Sequence, residues 1–381
     1  MVVGHICLDV IPQLQADPGG RARRPGALDL IGPVTLAAGG CVGNTGIALH
    51  RLGLRTTLVA RVGDDEFGGL LSSLVGHAAP EASVRLIPTR GRPTSYSLVA
   101  NRPGRDRSIE HFPGVNGAFV ADDVPAELLA STTLLHVGYP PLMAGLIADD
   151  GRELALLLAR AHQLGVITSL DMANANLDSG ADRLRWRRLL ERVLPDVDVF
   201  LPSLAEAGHL LRRRVHADAG RGPSLASVAR LADELVAMGA GITGVKLGEH
   251  GLYVRTALPD RLKAGGLRLS PTWAERELYS TVFETDVIGT AGAGDTTIAG
   301  FLFGLLAGMS PEAAITAACA VGGSSTEAAD GTSGVPGWPA IDARIRRGWH
   351  RRSAAPGAGW RESPDGGFWF GARDRGPTMT P

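Results

Sequence analysis

The feature that most constrains the fold is a regular alternation of short apolar runs with helical stretches through the second half of the chain. TLLHVG (133–138), VITSLDM (166–172), DVFLP (198–202), GITGVKLG (241–248) and GLYVR (251–255) read as strands. Leu142 to Leu164, Asp182 to Leu194, a segment from Leu204, and Leu225 to Met238 read as helices, as do two small-residue stretches near Ala293–Gly308 and Pro311–Ala329. Strands alternating with helices of this length predict a doubly wound, mostly parallel α/β sheet.

The first half follows the same logic with interruptions. Residues 1–12 read as one buried strand closed by a proline, residues 43–52 and 66–75 as helices, and 56–63 and 83–88 as strands. Two extended pieces, 28–37 and 95–112, break the alternation and predict a small β lid over one edge of the sheet. Beyond Trp349 the chain is rich in Pro, Gly and Arg. The expected organisation is therefore one folded domain over residues 1–348, followed by a disordered tail over 349–381.

Composition narrows the partners. The chain carries 38 basic and 39 acidic residues, a net charge of −1, so no global field points to nucleic acid or to an anionic membrane. Cys7, Cys41 and Cys319 are odd in number, widely spaced and without a CxxC pair, which predicts neither a disulfide framework nor a zinc site. The N-terminus lacks a secretory pattern, and the longest apolar stretch, Ile298 to Met309, is too short to span a bilayer. A cytoplasmic protein that recognises its partner at a local site is the expectation.

Five segments can carry chemistry. In Gly289-Thr290-Ala291-Gly292-Ala293-Gly294-Asp295, closely spaced glycines precede an apolar helix with an acid in its first turn. Small residues let backbone N–H groups approach a phosphate, and the helix N-terminus favours negative charge. Asp295 would repel that phosphate unless it faces the attacking hydroxyl and accepts its proton. Taken alone, a tight turn with a first-turn acid explains the same residues. Gly39-Gly40-Cys41-Val42-Gly43-Asn44 feeds a second helix, with Asn44 able to bond a hydroxyl or simply to cap. Lys246-Leu247-Gly248-Glu249-His250-Gly251 is a nucleotide-contacting turn or a hairpin connection. Ser203-Leu204-Ala205-Glu206 has the pattern of a capping box. Asp9 lies at the end of the first expected strand, where open α/β sheets bind ligands. Neither Lys246 nor Lys263 completes a P-loop, and no G-x-G-x-x-G starts at Gly292.

The order of these motifs resembles the ribokinase-like (PfkB) carbohydrate kinase family over about residues 2–345. GGCVGNTGIALHRLGLRTTLVARVGDDEFG (39–68) is similar to its first signature and DVIGTAGAGDTTIAGFLFG (286–304) to its second, with VKLGEHG (245–251) between them. The resemblance implies a three-layer α/β/α sandwich with a small β lid, and transfer of the ATP γ-phosphate to a hydroxyl of a small sugar or sugar-like molecule, assisted by Mg²⁺. It implies Asp295 as catalytic base and the amides of Gly292, Ala293 and Gly294 as the anion hole. Asp9, Gly40 and Asn44 would line the sugar pocket, Glu206 would organise Mg²⁺, and Lys246, Gly248 and Gly251 would lie on the nucleotide side. It also admits a monovalent cation such as K⁺ and a homodimer formed through the lid. A nucleoside kinase of the same family, and a catalytically weak sugar- or nucleotide-binding regulator, are the alternatives. The chain departs from the family pattern at Gly289, at Ser203 and around Asp171.

Overall fold

The computed structural model describes residues 1–15, 26, 28–101, 108–173, 185–215, 217–218, 222–264, 266–267, 269–364 and 366–376. The chain enters through β1 (Val2–Gly4), β2 (Cys7–Pro12) and β3 (Val34–Gly39), then β4 (Thr57–Gly63), β5 (Ser83–Thr89), β6 (Tyr96–Ala100) and β7 (Ser108–Phe112). It continues with β8 (Leu134–Gly138), β9 (Ile167–Leu170), β10 (Val199–Phe200) and a short ribbon of β11 (Ala217–Asp218) and β12 (Gly222–Pro223). The last strands are β13 (Ile242–Lys246), β14 (Leu252–Thr256), β15 (Glu277–Ser280), β16 (Arg361–Glu362) and β17 (Phe368–Phe370).

The main sheet has eleven strands in the order β16-β17-β15-β14-β13-β10-β9-β8-β1-β4-β5. From β13 to β5 all neighbours are parallel, whereas β13 to β16 pair antiparallel. Its central strands β1, β8 and β10 are buried on both faces, as parallel sheets require. Val2, Leu58, Leu134 and Leu201 join one core cluster; their neighbours Val3, Val59, Leu135 and Phe200 join the other. The first cluster includes the helices Ala293–Leu306 and Pro311–Ser325, the second the helices Ala144–Gln163 and Trp186–Val193. Each fully buried Leu or Phe contributes about 1.5–3 kcal/mol relative to its exposed state.

The helix pair 293–306 and 311–325 packs with its backbones in direct contact. A Cβ built on Gly300 would lie 2.7 Å from the Ala317 carbonyl oxygen, and one on Gly304 2.8 Å from the Ala314 Cα. The small residues that make these helices unusual in sequence are thus packing residues. They hold the N-terminus of the 293–306 helix, where Asp295 sits, firmly against the sheet.

Two expectations need correction. Residues 1–12 are two strands, because Gly4 adopts φ +124° and a Cβ there would lie 2.7 Å from the Gly138 carbonyl oxygen. The chain leaves the main sheet at that point, and β2 joins a second sheet of order β3-β2-β6-β7, which is the lid. Asp9 therefore belongs to the lid and not to the end of a main-sheet strand. The lid includes the expected extended segments at β3, β6 and β7, while residues 102–107 lie outside the described residues.

The second correction concerns the C-terminus. The stretch expected as a disordered tail adds β17 and β16 to the main sheet beside β15, burying Phe368, Trp369 and Phe370. Asp374 pairs with the buried Arg276 at 2.8 Å, and Arg373 with Glu277 at 2.7 Å. Polar and glycine-rich composition concealed three aromatic residues able to complete a sheet edge. Residues 377–381 lie outside the described residues. Among the described residues no helix is long and apolar enough to cross a membrane.

Candidate active site

Four neighbouring parallel strands, β8, β9, β10 and β13, each deliver a polar residue just past their carboxyl end or at it: Tyr139, Asp171, Ser203 with Glu206, and Lys246. Loops there converge in an open α/β sheet. The N-terminus of the 293–306 helix faces the same end.

Asp295 is the centre of the arrangement. Gly292 caps its helix in the left-handed conformation, φ +69°, and a Cβ there would lie 2.7 Å from the Gly331 Cα, so only glycine fits. Asp295 follows in the first turn and is only 3% exposed. Its Oδ2 accepts hydrogen bonds from Asn44 Nδ2 at 2.9 Å and from the Tyr139 hydroxyl at 2.7 Å. Asn44 comes from a single π-helical turn, Val42–Gly46, and the adjacent Thr45 hydroxyl donates to the Asp295 carbonyl at 3.3 Å. The double-glycine segment is thereby tied to the second glycine motif across 251 residues of sequence.

Tyr139 has φ +63°, a left-handed conformation costly for a bulky residue, on the order of 1–3 kcal/mol. The fold spends that strain to aim its hydroxyl at Asp295.

Beside Asp295 the helix entrance is electropositive and open. Gly294 is exposed although its helical neighbours Asp295 and Thr296 are buried, and first-turn N–H groups have no acceptor within their own helix. Of the three residues expected to form the anion hole, Ala293 directs its N–H to the Thr290 carbonyl at 3.3 Å. Lys246 reaches across from β13: its Nζ lies 3.7 Å from the position of a Cβ built on Gly294. A side chain at 294 would sit in van der Waals contact with the Lys246 ammonium.

Lys246 Nζ pairs with Asp171 Oδ1 at 2.8 Å, with both side chains buried. Burial acts to raise the Asp171 carboxyl, opposed by the Lys246 ammonium and reinforced by the nearby Glu206 and Asp295 charges. Burial acts to lower Lys246, but Asp171, Glu206 and Asp295 outweigh it and raise the amine. The positive charge belongs to Lys246, because three carboxylates surround it.

Glu206 forms the capping box that its spacing predicts. The Ser203 N–H donates to Glu206 Oε2 at 2.6 Å, and the Glu206 N–H donates to Ser203 Oγ at 3.2 Å. The same carboxylate is half-buried and acts electrostatically on both Asp171 and Lys246, so it faces the site while capping its helix. The Gly248–His250 turn joins β13 to β14 as a hairpin. Gly251 is structural, since a Cβ there would fall 1.9 Å from the Ser280 carbonyl oxygen, whereas Gly248, φ +60°, has open space around it. Lys246, Gly248 and Gly251 thus separate into a cradle residue, an open turn and a packing position.

The lid closes the opposite side. Its register sets Ala37, Asp9, Ser97 and His111 in one cross-strand row, with Cys7 two residues from Asp9 on the same face. A Cβ on Gly39 would strike the Asp9 carboxylate at 2.1 Å, and one on Gly40, φ +75°, would strike His5 Nδ1 at 2.5 Å. Burial raises Asp9 to about 6; hydrogen bonds from Cys7 and Ser97 oppose this, and the Asp295 and Asp330 charges reinforce it. Asp9 and Gly40 thus lie on the lid side, Asn44 bonds Asp295 directly, and the Asp295 charge acts on Asp9. Position at a strand end could have singled out Tyr139 and Asp171. His5, Cys7 and His111 carried no signal in the sequence.

The family model described as pfkB family carbohydrate kinase matches residues 1–337. An uncharacterized sugar kinase of Archaeoglobus fulgidus is 24% identical over 69% of this chain and 87% of its own length. A 2-dehydro-3-deoxygluconokinase of Bacillus subtilis is 22% identical over 83% and 88%. Among solved structures, Arabidopsis thaliana ribokinase complexed with ribose and ATP superposes with a TM-score of 0.67 at 19% identity, covering 91% of this chain and 97% of that one.

Proposed function

Because the chain belongs to the pfkB family of carbohydrate kinases, and so transfers a phosphoryl group from ATP to a hydroxyl of a small sugar or sugar-like molecule, we propose the following division of labour. The sugar lies between the lid row and Asp295, with Asp9 and Asn44 bonding its hydroxyls and Gly40 leaving room for them. Asp295 accepts the proton of the attacking hydroxyl, held in place by Asn44 and Tyr139.

The N–H groups of Gly292 and Gly294 at the helix entrance and the Lys246 ammonium receive the charge that develops on the migrating phosphoryl group, while the Ala293 N–H is already given to the Thr290 carbonyl. The exposed Gly294 beside Lys246 is a cradle that a Cβ would fill, which suits an anionic phosphate. ATP approaches past the open Gly248 turn. Mg²⁺ would neutralise phosphate charge when bound, and Glu206 would be the carboxylate that holds it. The cytoplasm suits both the supply of ATP and the three buried free thiols.

A homodimer through the lid is part of the reading. Val10 stands opposite both Leu36 and Leu98 in the lid register. Leu36 and Leu98 are exposed, and Leu28, Leu30, Ile31 and Val34 nearby are exposed as well. Such a contiguous apolar face on a lid is the kind a second copy covers.

The observation that carries the proposal is Asp295: buried, held by two donors, and set at the mouth of a glycine-lined helix entrance opposite the lid. The test is Asp295→Asn. Turnover with a panel of aldoses, ketoses, keto-deoxy sugar acids and nucleosides should fall about 100- to 10,000-fold while ATP binding persists. Retention of near-full rate would remove Asp295 from the base role, and preference for a nucleoside would move the substrate class.

A further inference from the structure

We propose that His5, Cys7 and His111 form a binding site for a thiophilic divalent cation, with Zn²⁺ the best match, at the junction between the main sheet and the lid. One donor atom from each of the three side chains lies within 4.8 Å of the others. His5 occupies the turn between β1 and β2, Cys7 opens β2, and His111 comes from β7. Their backbone positions are firmly set. Asn116 clamps the intervening Ile6, accepting its N–H at 3.2 Å and donating to its carbonyl at 2.8 Å.

Proton placement favours a cation over protein hydrogen bonds alone. His5 Nε2 and His111 Nε2 face each other at 3.1 Å, so one must be protonated and the other not. The other ring nitrogen of His5, Nδ1, is buried and has no hydrogen-bond partner, whichever tautomer is chosen. A cation between the rings lets both Nε2 atoms present lone pairs, while His111 Nδ1–H donates to Ser97 Oγ at 3.1 Å. That is the outer-shell bond that orients a metal-bound imidazole.

The spacing fits after a small rotation of one side chain. Donors of a tetrahedral zinc site lie about 3.3–3.6 Å apart, given bond lengths near 2.0–2.3 Å. The two imidazoles already stand at nearly that distance, and Cys7 Sγ must swing inward from its contact with Asp9 Oδ1 at 3.2 Å. Coordination forms one Zn–S bond and breaks one S–H bond, and the proton passes to the Asp9 carboxylate and on to solvent. Three protein donors leave the fourth position to a water or another ligand.

CxxC spacing cannot reveal such a site, because its donors come from separate strands. The cation would tie lid strand β7 to the turn at which the lid leaves the main sheet. Resting on the proposed role of Asp9, it would also compete with the sugar for the same face, making Zn²⁺ an inhibitor relieved by substrate.

The metal-free full-length protein titrated with Co²⁺, then with Zn²⁺ as displacer, tests the site without any substrate. One equivalent of Co²⁺ should give thiolate-to-cobalt charge transfer in the near ultraviolet and the visible bands of a tetrahedral centre. Cys7→Ser should abolish the charge transfer, and His111→Ala should weaken affinity at least about 10-fold. Thermal melts without metal check that both variants fold. Charge transfer that survives in Cys7→Ser, or no stoichiometric Co²⁺ binding, overturns the site. Absent Co²⁺ binding together with weaker sugar binding in His111→Ala would assign the cluster to sugar hydroxyls instead. Failure of Asp295→Asn to lose activity would leave the metal titration untouched, so the two readings fail separately.

Discussion

The pair Lys246–Asp171 permits a prediction with two independent readouts. At 2.8 Å, with an effective dielectric constant near 20, two unit charges attract by about 6 kcal/mol. Much of that attraction offsets the dehydration of two buried groups, so the intact pair contributes far less than this to stability. Removing one partner is different, because the other is left buried and unpaired. Lys246→Met should therefore cost about 3–5 kcal/mol of stability. Lys246→Met combined with Asp171→Asn should recover much of the loss, and urea denaturation of the four proteins measures the coupling. On turnover the double variant should not recover. If Lys246 meets charge that develops only in the transition state, kcat falls about 100- to 1,000-fold with the KM for ATP nearly unchanged. Asp171→Asn keeps the ammonium and should retain more activity than Lys246→Met. Stability effects that add to within about 0.5 kcal/mol would refute the pairing. A change confined to the KM for ATP would refute the transition-state role and return Lys246 to ground-state nucleotide binding.

Tyr139→Phe deletes one of the two donors to Asp295 Oδ2 and should lower kcat about 10-fold with little change in melting temperature, read by steady-state kinetics beside a thermal melt. Leu98→Lys places a charge on the apolar lid face and should convert a dimer to a monomer in sedimentation velocity; an unchanged sedimentation coefficient would put the interface elsewhere. Trp369→Ala should cost about 3–5 kcal/mol, because its ring is buried against the main sheet and stacks on Tyr279 at 5.3 Å. The C-terminal strands should also loosen in acid. Burial acts to raise Glu277, but the Arg373 guanidinium and backbone N–H and the Tyr253 hydroxyl outweigh it and hold the carboxyl below its ordinary 4.5. A depressed carboxyl contributes its full stability above 4.5 and loses it as pH falls through the lower folded value. Limited proteolysis after residue 348 should accelerate in that window before the main sheet unfolds.

Local chemistry determined more of this protein than its length suggests. The alternation of strand-like and helical runs requires a parallel sheet whichever loops connect it. The run Gly292-Ala293-Gly294-Asp295 specifies a helix entrance lined by small residues, with Gly292 at the left-handed cap. The S-x-x-E capping box also formed as its spacing predicts, because a cap depends on residues three apart. Tertiary structure decided everything that depends on distant partners. Gly4 turns the first strand into the lid only because the Gly138 carbonyl oxygen stands where a Cβ would go. Asp295 gains its two donors from residues 251 and 156 positions away. The C-terminal stretch is ordered because β15 offers an unpaired edge and a hydrophobic face for Trp369. His5, Cys7 and His111 meet only through the register of lid strands, and a strand's register is set by its neighbours. Propensity and spacing act over a few residues, whereas cavities, ion pairs and donor sets arise from the closing of the chain upon itself.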